Sequence, residues 1–291
     1  MYSLIPQILV SGIAIGMIYA IIAFGYQLTF ATSGTMNFGQ GEALALGALV
    51  AFSLVGVVGY WVAIPIVLLF GAFQGIVVEW VAVRPALRTK SEFGWIMSTI
   101  ALGIIFRNVA ENVWGKEEMK FPSPLPEMAI TFAGARVLPM ELLVAAGAFA
   151  LMLSVEFFNR KTMFGKAVVA TASDREAAEL MGINTSRVIT FSFALSSLAA
   201  ALAGMLIAPL TLAGARMGAT LGLKAFAVAI IGGLTSGGGA IVGGMVLGIA
   251  ETATGFYVST GYKDVPGMVL LLIVLAVKPS GLFGKAAIKK V

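Results

Sequence analysis

The stretch Ser33-Gly34-Thr35-Met36-Asn37-Phe38-Gly39-Gln40-Gly41-Glu42 places glycines, two amides and a carboxylate between two long apolar runs. Such groups can hold a polar solute by hydrogen bonds and charge. Backbone released from helix at membrane depth persists only where protein buries it or water lines it. Broken helices also aim their dipole ends at bound solutes. Thr35, Asn37, Gln40 and Glu42 are therefore candidate pathway residues, with the two amides expected to face a hydrated cavity. The plainer reading is a polar turn at the membrane surface, with Glu42 complementing the dipole of the next helix. Other ionic groups also stand inside apolar runs. Glu251 has Thr252 and Thr254 beside it, and a charge within a span is a functional candidate by default; structural pairing or exposure at the interface is the competing reading. Arg107 and Glu111, four residues apart, fit an interfacial ion pair. Lys224 and Glu79 have no partner legible in the sequence.

A third polar region runs from Arg160 to Arg187. Ser173-Asp174-Arg175-Glu176 has the pattern of a capping box, in which the serine caps a helix start and the glutamate reaches back. Gly182 falls where a left-handed C-terminal cap would stop that helix, and Asn184 can cap the next one. The expected product is a helix of two to three turns on the membrane surface, with Ala177, Leu180 and Met181 as an apolar stripe. The small residues suit docking in a protein groove.

These groups must be positioned by an unusually apolar chain. Of its 291 residues 59 % are hydrophobic and 11 % charged, against about 45–50 % and about 25 % in a soluble domain. Apolar runs fall at about 6–30, 37–58, 60–82, 93–113, 137–158, 188–212, 216–235, 238–259 and 264–282. Runs of about 20 residues select membrane helices over a barrel. The 35 glycines suit close helix contacts, and Gly12/Gly16, Gly239/Gly243 and Gly244/Gly248 have the small-xxx-small spacing. The predicted fold is all-α, a polytopic bundle of about eight or nine membrane helices, some broken or short, in a single domain 1–291. A cytoplasmic segment at about 159–187 and an external loop at about 114–136 interrupt it.

Basic residues orient the spans. Arg84, Arg88 and Lys90, then Arg160, Lys161, Lys166, Arg175 and Arg187, then Lys278, Lys285, Lys289 and Lys290 mark cytoplasmic segments. The proline-rich connector 114–136 balances Lys116, Lys120 and Arg136 against Glu117, Glu118 and Glu127. Nine crossings put the N-terminus outside and the C-terminus inside; the run 216–235 counts as a crossing although it could be re-entrant. Met1 to Gln7 carries no Lys or Arg, unlike a cleaved signal peptide. The net charge of +5 sits between apolar runs, which marks membrane orientation rather than nucleic-acid binding.

Met36 to Glu42, Glu79 to Leu87 (EWVAVRPAL), Met181 to Val188 (MGINTSRV), Leu223 to Phe226 (LKAF), Gly232 to Glu251 and Tyr262 to Val265 (YKDV) together resemble permeases of branched-chain amino acid ABC transporters, the LivH type. The resemblance spans about residues 8–284. It implies a second permease of the LivM type, two ATP-binding-cassette ATPases that bind the ATP and magnesium, and a periplasmic amino-acid-binding protein, in a bacterial inner membrane. Glu176-Ala177-Ala178 with Gly182 is similar to the opening of the EAA loop through which ABC permeases contact their ATPases, which implies a coupling role for Ser173, Glu176, Ala177, Ala178 and Gly182. The later isoleucine and Leu-Pro of that pattern are replaced by Ser192 and Ala194-Leu195.

The function expected is ATP-driven import of a hydrophobic amino acid or a related small solute through a channel that this chain half forms. An ion-coupled carrier is the alternative, with Glu42 and Glu251 as its titratable groups. The chain has no cysteine and no histidine, which excludes thiolate or imidazole metal sites and Cys/His or Ser/His catalytic pairs. No G-x-x-x-x-G-K-[ST] loop occurs, so no nucleotide site of that kind is expected in this chain, and Ser236-Gly237-Gly238-Gly239 reads as a flexible connector. No cofactor, metal or catalytic residue is expected.

Overall fold

The computed structural model describes residues 4–89, 93–132, 134–234 and 236–284. Every apolar run contains a helix. In chain order the helices are α1 (Leu4–Ser33), α2 (Gln40–Val58), α3 (Tyr60–Val78), α4 (Arg84–Arg88), α5 (Gly94–Trp114), α6 (Pro139–Lys161), α7 (Met163–Ser173), α8 (Arg175–Leu180), α9 (Thr185–Ile207), α10 (Met217–Gly232), α11 (Gly237–Tyr257) and α12 (Val265–Val277). A π-helical turn, Glu79–Val83, joins α3 to α4. A two-stranded ribbon, β1 (Ile130–Phe132) and β2 (Ala135–Val137), folds the loop before α6. Helices dominate because hydrocarbon offers the backbone no partner but itself.

α1 and α9 lie at the centre with most of their residues buried, whereas α6 and α12 show most of their surface outward. The outward-facing α12 is apolar all round, as suits a helix whose neighbour is hydrocarbon. α1 packs most extensively on α11. The glycine pairs read from sequence meet here: a Cβ on Gly16 would lie 2.4 Å from the Gly244 carbonyl oxygen, and one on Gly248 would lie 2.2 Å from that of Gly12. Small-xxx-small spacing on both helices removes the side chains that would hold these backbones apart.

The bundle has two distinct ends. The backbone N–H of Arg136 donates to Gln7 Oε1, which ties the start of α1 to the loop 114–136. At the other end Leu28 packs with Val168 of α7 and Val188 of α9, and Gln27 Nε2 donates to the Gly233 carbonyl at 2.9 Å. The chain's last described residues are bonded there too, through Leu282 N to Ile231 O at 2.8 Å. The loop 114–136 and the segment carrying α8 thus occupy opposite ends, as the charge pattern predicts. Lys90, Lys285, Lys289 and Lys290 lie outside the described residues.

Among the described residues eight helices, counting Tyr60–Arg88 and Thr260–Val277 as single spans, are long and apolar enough to cross a membrane. The remaining apolar run, 216–235, forms α10, which has only 16 residues, about 24 Å against about 30 Å of hydrocarbon. Before it, Met119 N donates to the Ala213 carbonyl at 2.8 Å, in the end occupied by the external loop. After it, Phe283 N donates to the Gly232 carbonyl at 3.2 Å. The chain therefore passes from one end to the other between 213 and 232, and all of this passage after residue 216 is helix.

Candidate functional site

The break after α1 lies deep in the bundle. α1 continues from Gly25 to Ser33, about 12 Å further, and residues 34–39 then return without helical structure. Gln40, at the start of α2, ends beside Gly25 again, where a Cβ would sit 2.5 Å from Gln40 Nε2. Gln40 Nε2 also donates to the Ser196 carbonyl at 2.8 Å, near the middle of α9. This is non-helical backbone at membrane depth, not a turn at the surface.

The amides serve the break itself, which differs from the expectation that Asn37 and Gln40 face a cavity. Both are buried. Asn37 Oδ1 accepts from Gly39 N at 2.9 Å, and Asn37 Nδ2 donates to Gln40 Oε1 at 3.3 Å. The Thr35 and Ser33 hydroxyls bond each other at 2.7 Å. Backbone groups freed from a helix away from water must find internal partners, and the nearest polar side chains supply them.

The cavity wall falls to the neighbouring residues. A space of about 270 Å³ is lined by Phe38, Gly41 and Glu42 on one side, by Arg107 and Ile104 of α5 on another, and by Gly218, Gly222 and Phe226 of α10 on a third. Two helix N-termini converge on it. A Cβ on Gly41 would lie 2.1 Å from the Gly218 carbonyl oxygen, and one on Gly218 equally close to that of Gly41. The α2 and α10 starts, each the positive end of a helix dipole, are thereby held in contact. Glu42 is buried and its Oε2 has no hydrogen-bond partner among the described residues.

Arg107 lines this cavity instead of pairing with Glu111. Arg216, in the connector before α10, takes Glu111 at 2.9 Å. A helical i,i+4 pair is worth only about 0.2–0.5 kcal/mol, so a long-range competitor displaces it easily. No signal in the sequence indicated this exchange, because Arg216 is 105 residues from Glu111. Glu79 also finds a partner. The π-turn brings residues five apart onto one face, and Arg84 binds Glu79 through two nitrogens at 2.9 Å, with Thr190 Oγ1 donating to the same carboxylate.

Glu251 and Lys224 meet in a second polar centre. Lys224 Nζ lies 2.9 Å from Glu251 Oε2 and 2.7 Å from Asp264 Oδ1. Tyr19 O–H donates to Glu251 Oε2 at 2.8 Å. Glu251 is thus paired and buried rather than exposed at an interface.

The segment between α6 and α9 departs from the predicted capping pattern. Ser173 is the last residue of α7, and its hydroxyl donates to the Val169 carbonyl. The cap is Asp174, whose Oδ1 accepts from Ala177 N at 3.1 Å. The Ser173/Glu176 box does not form because α7 runs to Ser173, which moves the extended junction one residue on. α8 spans six residues, shorter than predicted, and Glu176 on it is exposed. Ala178 is buried against the chain itself, whereas Ala177, Leu180 and Met181 face outward. The exit follows expectation: Gly182 has φ +85°, a conformation that favours glycine, and Asn184 Oδ1 accepts from Arg187 N to start α9. Thr185 donates to Glu179, whose carboxyl is held below its usual range by that bond and by Arg175.

Apolar helices broken at mid-depth around a cavity that holds one carboxylate and one guanidinium, with a short capped helix at one end, define a polytopic membrane permease. Residues 8–277 match the family described as branched-chain amino acid transport system, permease component, and the chain belongs to it. It is 32 % identical to the high-affinity branched-chain amino acid transport system permease protein LivH of Salmonella typhimurium, over 98 % of this chain and 97 % of that one. It is 30 % identical to the corresponding protein BraD of Pseudomonas aeruginosa, with the same coverage. Among solved structures, PsaBC from Streptococcus pneumoniae in complex with Fab aligns with 94 % of this chain and 92 % of its own at a TM-score of 0.50 and 15 % identity, a likeness of fold alone. The chain is accordingly a permease component of an ABC importer and not a self-standing ion-coupled carrier.

Proposed function

We propose that this chain forms half of the channel of an ATP-driven importer for branched-chain or similar hydrophobic amino acids. The observation that carries the reading is the cavity at the helix breaks. It faces a solute with one carboxylate, Glu42, and one guanidinium, Arg107, on walls otherwise mainly apolar. An α-ammonium fits Glu42, an α-carboxylate fits Arg107 and the two helix starts, and Phe38, Ile104 and Phe226 suit an aliphatic side chain. Low affinity is consistent with passage, since tight binding belongs to a periplasmic amino-acid-binding protein. The remaining partners in this reading are a second permease of the LivM type and two ATPase subunits, which hold the ATP and magnesium; this chain holds no cofactor.

Glu42→Gln and Arg107→Gln are each expected to lower leucine uptake about tenfold or more, the loss of one charge-assisted hydrogen bond, with the complex still assembled. Wild-type uptake by both variants would remove the cavity from the pathway.

The α8 segment is the ATPase contact in this reading. Ala177 faces outward and Ala178 does not, so Ala177→Trp should leave the permease folded yet abolish stimulation of ATP hydrolysis by loaded binding protein. Asp174→Ala should weaken the helix start by about 1 kcal/mol and reduce stimulation partially. Full stimulation in both variants would place ATPase docking elsewhere.

The chain lies in a bacterial inner membrane with its N-terminus outside and its α8 end cytoplasmic. Single cysteines at Lys166 and Lys120, in a chain with none of its own, test this. Position 166 should react only from the cytoplasmic side and position 120 only from outside; the reverse pattern inverts the assignment.

A further inference from the structure

The short helix α10 separates two cavities. Gly218, Gly222 and Phe226 face the one already described, while Thr220, Leu221 and Lys224 face another of about 450 Å³. This second cavity lies toward the end of the bundle opposite α8, between the end of α9, α11 and the connector to α12. Four ionic groups line it: Lys224, Lys263, Glu251 and Asp264. Their formal charges cancel. Thr220 and Thr252 add hydroxyls, and Leu221 and Phe256 add apolar wall.

The site is built into the fold. Lys224 and Glu251 are more than nine-tenths buried, at 7 % and 6 % exposure. Glu251 Oε1 has no hydrogen-bond partner among the described residues although it is shielded from solvent, a state that costs free energy unless something satisfies it. Asp264 is the loose member, with its side chain 54 % exposed while bound to Lys224 at 2.7 Å. Three separate segments of sequence deliver these groups to one place, α10, α11 and the start of α12.

We infer that this second cavity is an entry subsite for a zwitterionic amino acid, which inserts between Lys224 and Asp264 before the solute reaches the cavity across α10. The solute ammonium takes Asp264 and Glu251, its carboxylate takes Lys224 and Lys263, and its side chain lies on Leu221 and Phe256. A net-neutral ionic set favours a solute carrying both charges over one carrying either alone, because any surplus charge would sit near buried ions without compensation. The nature of the solute rests on the proposed function; the existence of a second, spatially separate subsite does not.

The test uses the complete importer in nanodiscs and a photoreactive leucine analogue. Label is expected on α11 around Thr252 and Phe256 as well as on the α5 and α10 faces of the first cavity. Excess leucine should suppress the α11 label at least tenfold more effectively than leucinamide or 4-methylpentanoate, which each lack one charge. Thr252→Leu fills the cavity with all four ionic groups in place and should remove the α11 label while keeping that of the first cavity. Lys263→Gln should raise the leucine concentration needed for protection about tenfold. Label confined to the first cavity overturns the subsite and leaves the proposed function standing. An α11 label that leucine does not displace also overturns it and points to a lipid headgroup in the cavity. Label at neither cavity, with no leucine uptake, defeats the substrate reading and the subsite together.

Discussion

Lys224→Met is expected to destabilise the permease by about 3–5 kcal/mol, the cost of leaving a buried carboxylate without its counter-ion. Glu251 is buried among α1, α10, α11 and α12, and its remaining described polar partner is the Tyr19 hydroxyl. Asp264 is half-exposed and readily rehydrated, whereas Glu251 is 6 % exposed. A fall of on the order of 10 °C in the melting temperature of the solubilised complex should accompany the loss. Lys224→Met combined with Glu251→Leu removes both charges and should recover most of that stability, because an apolar pair of similar volume is often equal to a buried ion pair. If the cluster also receives solute, the double variant will be stable yet slow in uptake. A single variant as stable as wild type would show that the pair carries no structural energy.

Gly218→Ala should cut uptake at least tenfold although it adds a single methyl group. The new Cβ would lie 2.1 Å from the Gly41 carbonyl oxygen and 2.6 Å from its carbon. Both are backbone atoms at the start of α2, so no side chain can rotate away and the two helix starts must separate. Overpacking of this kind costs about 1–3 kcal/mol; here the displacement falls on the cavity wall. Gly56→Ala is the matched control on α2, where a Cβ meets nothing within 4 Å. It should leave uptake unchanged and stability equal or slightly raised. Equal uptake by the two variants would mean that contact between the α2 and α10 starts does not shape the route.

By itself the sequence determined the class, the helices and the two ends of this protein. A membrane allows few solutions, so each of the nine apolar runs contains a helix among the described residues, and breaks at Gly34–Gly39 and Gly182 are visible as local chemistry. Gly182 and Asn184 act within a few residues of themselves, which is why their roles were legible. The seams were partly legible too, since Gly12, Gly16, Gly244 and Gly248 mark the faces that meet. Only the tertiary structure decided which polar groups serve each other. Arg107 and Glu111 look paired in sequence, yet Arg216 takes the carboxylate from a distant connector. Asn37 and Gln40 look like pathway groups, yet Asn37 is claimed by the freed backbone at Gly39 and Gln40 by the Ser196 carbonyl of α9. Tyr19, Lys224, Glu251 and Asp264 come together from α1, α10, α11 and the approach to α12. Helix formation depends on neighbours three or four residues away, whereas pairing inside a bilayer is decided by which buried charges and carbonyls the packed helices bring within 3 Å of one another.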